Sequence, residues 1–225
     1  VIHGMEHGEH HAHEHGHHEV HGFDANDMRY MGGLRKKMPG TFIAFLVGGL
    51  ALSGFPLITS GFWSKDEILA EAYHALTHGD AVRALPVFAF FALIIAAFFT
   101  AFYTWRQITM TFLGKPRTES AASASESSKS MVVPLLILAV FTLLLGFVGV
   151  HEDFPVLGPL LGGNPFHHFI GDFAKSLDIE AATIPFSWLP VLFSTVLALG
   201  GIGLGWWVYG RAGKGWQTHD QLDPV

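Results

Sequence analysis

Three consecutive charged residues, Lys65, Asp66 and Glu67, follow directly after a long apolar part of the chain. Residues 41–63 carry no charge at all. Amines and carboxylates are the side chains that can take up and release protons, and an ionisable group at a helix centre in a bilayer costs about 2.5–3.5 kcal/mol on insertion scales. If this stretch lies inside the membrane, its three charged residues are candidates for proton transfer, with Lys65 as the strongest candidate.

Two glycines and a proline interrupt the apolar stretch before the charges: Gly54, Pro56 and Gly61. Proline removes a helical hydrogen bond and clashes with the preceding turn, so we expect a helix break here. Broken helices inside membranes mark ion and substrate pathways, because irregular backbone is tolerated only beside protein or water. Three hydroxyl side chains near the break are candidates to line such a pathway: Thr59, Ser60 and Ser64.

A second interpretation of the same residues needs no pathway. Ser64 and Glu67 have the spacing of a capping box, which would start a new helix at the outer membrane interface. Lys65 would then lie in the solvent-exposed first turn of that helix. From the residues alone, both interpretations remain open.

Histidines form the other chemically suggestive feature, because 9 of the 15 lie in the first 21 residues. Neutral imidazoles bind zinc, copper and nickel, which makes this tract a possible metal-binding segment. The alternative is a solvated loop whose charge rises as the histidines protonate below pH ~6.5. With no hydrophobic periodicity, residues 3–21 are predicted to be a loop. The candidate ligands in such a segment are His10, His11, His13, His15, His17 and His18.

The elements that must position these residues are apolar helices. Half of the 225 residues are hydrophobic, only 14% are charged, and no cysteine is present. The composition excludes disulfides and iron–sulfur clusters in this chain, and 13 basic against 19 acidic residues do not favour nucleic-acid binding. A bilayer core needs ~20 apolar residues per helix. We therefore predict an all-α integral membrane fold with about four transmembrane helices, near 41–63, 85–112, 131–150 and 188–210.

Basic residues concentrate in alternate loops, which by the positive-inside rule places 1–40, 113–130 and 211–225 on the cytoplasmic side. The predicted organisation is as follows: a His-rich cytoplasmic loop (1–30), a motif with the broken helix (31–75), a second transmembrane helix (76–112), a cytoplasmic loop (113–130), a third helix (131–150), an outer loop (151–187), a fourth helix (188–210) and a cytoplasmic end (211–225).

Three stretches closely resemble a known family. They are MGGLRKKMP at 31–39, ALSG at 51–54 and GFWSKDEIL at 61–69. Their residue types and spacing resemble those of subunit L, or chain 5, of proton-pumping NADH:quinone oxidoreductase, which is respiratory complex I. The resemblance is strong over about 27–114, and the histidine tract departs from it as an added loop segment.

The resemblance implies an antiporter-like bundle in which residues 41–75 form a broken helix and Lys65 is the proton-carrying lysine inside the membrane. Asp66 and Glu67 match the acidic positions that follow it. It also implies that the chain is a fragment from the C-terminal half of a larger subunit in the cell (inner) membrane. The implied partners are the other membrane-arm subunits and the lipid bilayer. No cofactor is expected in this chain, since NADH, FMN, iron–sulfur clusters and quinone belong to other subunits.

Two other functions remain as alternatives. The first is the large subunit of a multisubunit sodium/proton antiporter, which shares the fold. The second is a metal transporter with a His-rich loop, which would need metal ligands inside the spans.

Overall fold

The computed structural model describes residues 1–14, 23–78, 84–151, 153–161, 165–177 and 186–210. Every regular element in this described part of the chain is helical, so the all-α prediction is confirmed. The α-helices are α1 (Ile2–Glu14), α2 (Pro39–Ser53), α3 (Ser60–His78), α4 (Ala84–Phe112), α5 (Glu119–Ser123), α6 (Lys129–Leu144), α7 (Leu157–Leu161), α8 (Pro165–Ser176) and α9 (Trp188–Gly205).

Three helical segments are long and apolar enough to cross a membrane: Leu85–Phe112, Lys129–Gly149 and Trp188–Gly210. They coincide with three of the four predicted spans. The first of the four predicted spans is discontinuous, as expected, because α2 ends at Ser53 and α3 begins at Ser60. The 15 residues of α2 reach about 22 Å at 1.5 Å per residue, which is short of the ~30 Å apolar core of a bilayer.

Residue contacts divide the chain into two compact units. The first comprises Val1–Gly49, Phe102–Val140 and Gly201–Val225. The second comprises Leu50–Ala101 and Phe141–Gly200, and it contains the Lys65 region.

In the first unit, the two glycines of the MGGL motif lie against the loop that follows α4. Gly32 and Gly33 have positive φ angles of 121° and 66°, which L side chains rarely adopt. A Cβ atom on Gly32 would lie 2.5 Å from the Lys115 carbonyl oxygen. The Gly33 amide donates to the Leu113 carbonyl oxygen at 2.9 Å. The glycines therefore let the motif approach this loop closely.

An ion pair stabilises the short turn that precedes the MGGL motif. Asp27 caps a short 3-10 turn by accepting a hydrogen bond from the Arg29 amide at 2.8 Å. The Arg29 guanidinium also lies 2.7 Å from the Asp27 carboxylate. This hydrogen-bonded cation holds the pKa of Asp27 below its usual range.

The loop prediction for the histidine tract is wrong for residues 2–14, which form α1. Small and apolar side chains repeat along one face of this helix, where Gly4, Met5, Gly8 and Ala12 are buried. A Cβ atom on Gly8 would lie 2.1 Å from the Ser120 carbonyl oxygen, so α1 packs directly on α5. The face was missed because glycine adds nothing to a hydrophobic pattern, although it permits close helix packing.

Glu126, from the loop before α6, caps the amino-terminal end of α2. Its carboxylate accepts hydrogen bonds from the Gly40 amide at 2.6 Å, the Thr41 amide at 3.3 Å and the Thr41 hydroxyl at 2.6 Å. The first amides of a helix have no intrahelical acceptor, and a negative charge there is further stabilised by the helix dipole. The carboxylate thus substitutes for a local capping side chain.

We expect Glu126→Gln to lower the stability of this unit by about 1–3 kcal/mol, because a charge-assisted network is replaced by a neutral one. The measurement is the thermal unfolding midpoint of the purified full-length subunit. Glu6→Gln, on the exposed face of α1, is the matched control and should leave the midpoint in place. Equal midpoints for both variants would contradict the capping role.

The second unit has an aromatic core. Phe62 and Trp63 of α3 pack with Phe154 and Val191, and the Trp63 and Phe154 rings meet edge-on at 5.0 Å. The segment predicted as an outer loop, 151–187, contains the short helices α7 and α8. The core fixes α3, which carries the charged residues.

Candidate functional site

The break between α2 and α3 begins at Gly54. Its amide donates to the Ala51 carbonyl oxygen at 3.0 Å, and the Phe55 amide donates to the Leu50 carbonyl oxygen at 2.9 Å. This pair of bonds is a Schellman motif, and Gly54 has the left-handed φ of 74° that the motif requires. The helix therefore ends for a local reason, and the Leu52 carbonyl is left without a helical partner.

Within the break the backbone makes a tight turn at Leu57. The Ile58 amide donates to the Pro56 carbonyl oxygen at 2.8 Å, while Leu57 has a φ of 66°. A non-glycine residue in this γ-turn conformation is strained. Thr59 is buried, and its hydroxyl donates to the Phe55 carbonyl oxygen at 2.8 Å. The hydroxyl of Thr59 therefore stabilises the turn.

Lys65 reaches back to the end of α2. Its Nζ donates a hydrogen bond to the carbonyl oxygen of Leu52, one of the acceptors that the Schellman motif leaves available. Helix C-termini carry partial negative charge, which favours a nearby ammonium group. The half-buried lysine is thus held at the broken end of a helix.

Gly61 lies in the first turn of α3, so its predicted place within the break is wrong. Its role is close packing instead. A Cβ atom on Gly61 would lie 1.7 Å from the Ala51 carbonyl oxygen, and one on Gly54 would lie 3.2 Å from Cδ of Lys65. Both glycines let the start of α3 approach the end of α2.

The capping-box interpretation of Ser64 and Glu67 is wrong as well, because α3 already begins at Ser60. Ser60, Ser64 and Glu67 instead recur along one face of α3. Together they line a cavity of about 370 Å3 whose other walls include the 3-10 segment Leu145–Gly149. Two hydroxyls and a carboxylate therefore share one polar wall of this cavity.

Asp66 points to a different neighbour. Its carboxylate accepts a hydrogen bond from the Ser194 hydroxyl of α9 at 3.3 Å. Ser194 is buried, and its hydroxyl also lies 3.0 Å from the Val191 carbonyl oxygen. Nothing in the sequence singled out this serine, because it is one hydroxyl in an apolar helix and lies 128 residues from Asp66.

A small cavity joins Lys65 to Ser194. Its volume for the centre of a water-sized sphere is about 10 Å3, which is at the lower limit for holding one water molecule. Its polar lining comes from Lys65, Ser194 and Ser53, and its apolar lining includes Phe62 and Leu69. The described site therefore holds an amine, a carboxylate and a buried hydroxyl within one unit.

The candidate metal ligands of the amino-terminal tract fall in two groups. His10 and His11 are exposed on α1, and His7 and His11 stack with ring centroids 4.8 Å apart. His13 is helical, whereas His15, His17 and His18 lie outside the described residues. Among the described residues, no group of three or more potential ligands is placed to hold a metal ion.

Comparison with known proteins agrees with this architecture. Residues 12–78 match the family model described as NADH:quinone oxidoreductase/Mrp antiporter, transmembrane region. The matched segment includes the MGGL motif, the helix break and Lys65. Together with the apolar spans, the match defines the chain as part of an antiporter-like membrane protein.

Individual relatives narrow this class. The chain is 41% identical over 150 residues to NADH-ubiquinone oxidoreductase chain 5 of Dictyostelium discoideum, covering 65% of this chain and 21% of the relative. It is 34% identical over 216 residues to chloroplastic NAD(P)H-quinone oxidoreductase subunit 5 of Chaetosphaeridium globosum, covering 88% and 28%. It is 39% identical over 140 residues to NADH-quinone oxidoreductase subunit L of Rhodobacter capsulatus, covering 57% and 18%.

Within that class the chain is similar to part of the antiporter-like subunit that these names call chain 5, subunit 5 or subunit L. It spans between 18% and 28% of the length of these three curated relatives.

Proposed function

We propose that this chain belongs to a proton-translocating membrane-arm subunit of an NADH:quinone oxidoreductase, and that Lys65 carries protons within it. The observation that supports the proposal most directly is the position of Lys65. Its amine lies at the broken end of α2, within the segment that matches the family of oxidoreductases and antiporters.

The chemistry follows from the groups around the break. The ammonium form of Lys65 is stabilised by the Leu52 carbonyl at the negative end of α2. A change of charge nearby alters the balance between its protonated and neutral forms, because each pairwise interaction favours one of the two. Asp66 and Glu67 are the carboxylates that exchange protons with this amine. The same residues thus accept a proton in one state and release it in another.

In this proposal, other subunits oxidise NADH and reduce quinone, and they hold the redox cofactors. The chain contributes to a translocase and carries out no redox chemistry itself. Its partners are the neighbouring membrane-arm subunits and the lipid of the cell (inner) membrane. Its predicted topology places 1–40, 113–130 and 211–225 on the cytoplasmic side.

The test uses inverted membrane vesicles from a strain that lacks the gene and from the same strain carrying the full-length gene. We expect NADH-driven acidification of the vesicles to fall in the deletion strain and to return on complementation. Unchanged NADH-driven acidification with loss of sodium/proton exchange would contradict the proposal and favour the antiporter. Loss of zinc transport alone, reproduced by deleting residues 3–21, would favour the metal transporter.

A further inference from the structure

We propose that the Ser194 hydroxyl of α9 forms the proton bridge between Lys65 and Asp66, acting with one water molecule in the small cavity beside them. The proposal builds on the proposed function and adds a residue that neither the sequence motifs nor the family match includes. The geometry that carries it is a buried hydroxyl that contacts a carboxylate and faces the same cavity as an amine.

The arrangement explains how two sequence neighbours with different surroundings can exchange a proton. Lys65 donates to the Leu52 carbonyl and lines the small cavity. Asp66 contacts Ser194 at 3.3 Å. Adjacent residues of a helix point about 100° apart and do not face each other, so an intermediary is required. Ser194 supplies it, because a hydroxyl donates one hydrogen bond while accepting others.

The cavity has room for the remaining link. Its volume of about 10 Å3 accommodates a single water, which needs two to four polar partners. Lys65, Ser53 and Ser194 are the polar side chains in its lining. Such a water can accept a proton from the Lys65 ammonium group and donate one to the serine hydroxyl.

The transfer balances in protons and charge. The Lys65 ammonium gives a proton to the water, the water gives one to the Ser194 oxygen, and Ser194 gives its own hydroxyl proton to the Asp66 carboxylate. Lys65 becomes a neutral amine and Asp66 a neutral acid, while the water and the serine end unchanged. The Ser194 hydroxyl can instead donate to the Val191 carbonyl oxygen, which lies 3.0 Å away. In that orientation it does not donate to Asp66, and the proton transfer is interrupted.

The test compares variants of the full-length subunit in the assembled complex, in proteoliposomes, by the number of protons moved per NADH oxidised. Ser194→Ala removes the hydroxyl at nearly constant volume, and we expect a loss in this ratio as large as that of Lys65→Ala. Ser194→Thr keeps a hydroxyl and should restore the ratio. Thr195→Val removes the neighbouring hydroxyl of the same helix and should leave the ratio unchanged.

Each outcome distinguishes the bridge from the proposed function. A normal ratio in Ser194→Ala together with a low ratio in Lys65→Ala would overturn the bridge and leave the proposed function standing. Normal ratios in both variants would overturn both. A low ratio in Ser194→Ala and also in Ser194→Thr, in fully assembled complexes, would overturn the role of the hydroxyl.

Discussion

Lys65→Ala in the full-length subunit is expected to leave the complex assembled and to lower the number of protons moved per NADH oxidised. In the proposed function, the Lys65 amine, which contacts the Leu52 carbonyl at the broken end of α2, takes up and gives back a proton. Alanine can do neither, and losing a positioned proton-transfer group slows such a step by about 10²–10⁴-fold. The pathway through this subunit therefore stops, while NADH oxidation in other subunits continues.

The measurement is NADH-driven acidification of proteoliposomes, normalised to the rate of NADH oxidation and to the amount of assembled complex. Lys129→Ala is the matched control, because Lys129 is an exposed lysine at the start of α6. It should retain the full ratio. An assembled Lys65→Ala complex with an unchanged ratio would exclude Lys65 as the proton carrier.

Gly61→Ala is expected to have the largest effect on the structure itself. Its Cβ atom would lie 1.7 Å from the Ala51 carbonyl oxygen, which belongs to the backbone of the last turn of α2 and cannot rotate away. Overpacking of this kind costs about 1–3 kcal/mol or more. We expect α3 to shift away from the end of α2 and to withdraw Lys65 from the Leu52 carbonyl. Stability and proton pumping should therefore fall together.

Gly48→Ala is the control for the Gly61→Ala substitution. Gly48 lies inside α2, and a Cβ atom there meets no atom within 4 Å. Alanine is favoured over glycine in a helix by about 0.5–1 kcal/mol, so this variant should be at least as stable as the wild type. The measurement is the midpoint of thermal inactivation of the assembled complex. A Gly61→Ala complex with the same midpoint as Gly48→Ala would show that α2 and α3 are not in close contact.

The transmembrane helices could be predicted from sequence because their signal is local. A charge-free run of about 20 apolar residues predicts a transmembrane helix wherever it occurs in the chain. The predicted spans near 85–112, 131–150 and 188–210 therefore agree with the structure. The break in the first span could also be predicted from sequence, because Gly54 and Pro56 change the backbone conformation at their own positions.

The amino-terminal helix shows where the same approach fails. Residues 2–14 lack strong helical amphipathicity, because the buried face of this helix consists largely of glycine and alanine. That face is stable only when it packs on α5. Its existence depends on a surface more than 100 residues away in the sequence, which no local pattern describes.

By itself, the sequence determined that this is an all-α membrane chain with a broken helix and a charged triplet just after the break. Hydropathy, proline and glycine suffice for that, because they act within a few residues. Only the tertiary structure decided the partners of the triplet: the Leu52 carbonyl for Lys65, the Ser194 hydroxyl for Asp66 and the larger cavity for Glu67. A backbone carbonyl has no sequence signature, and a single serine becomes significant only when folding brings it beside a carboxylate.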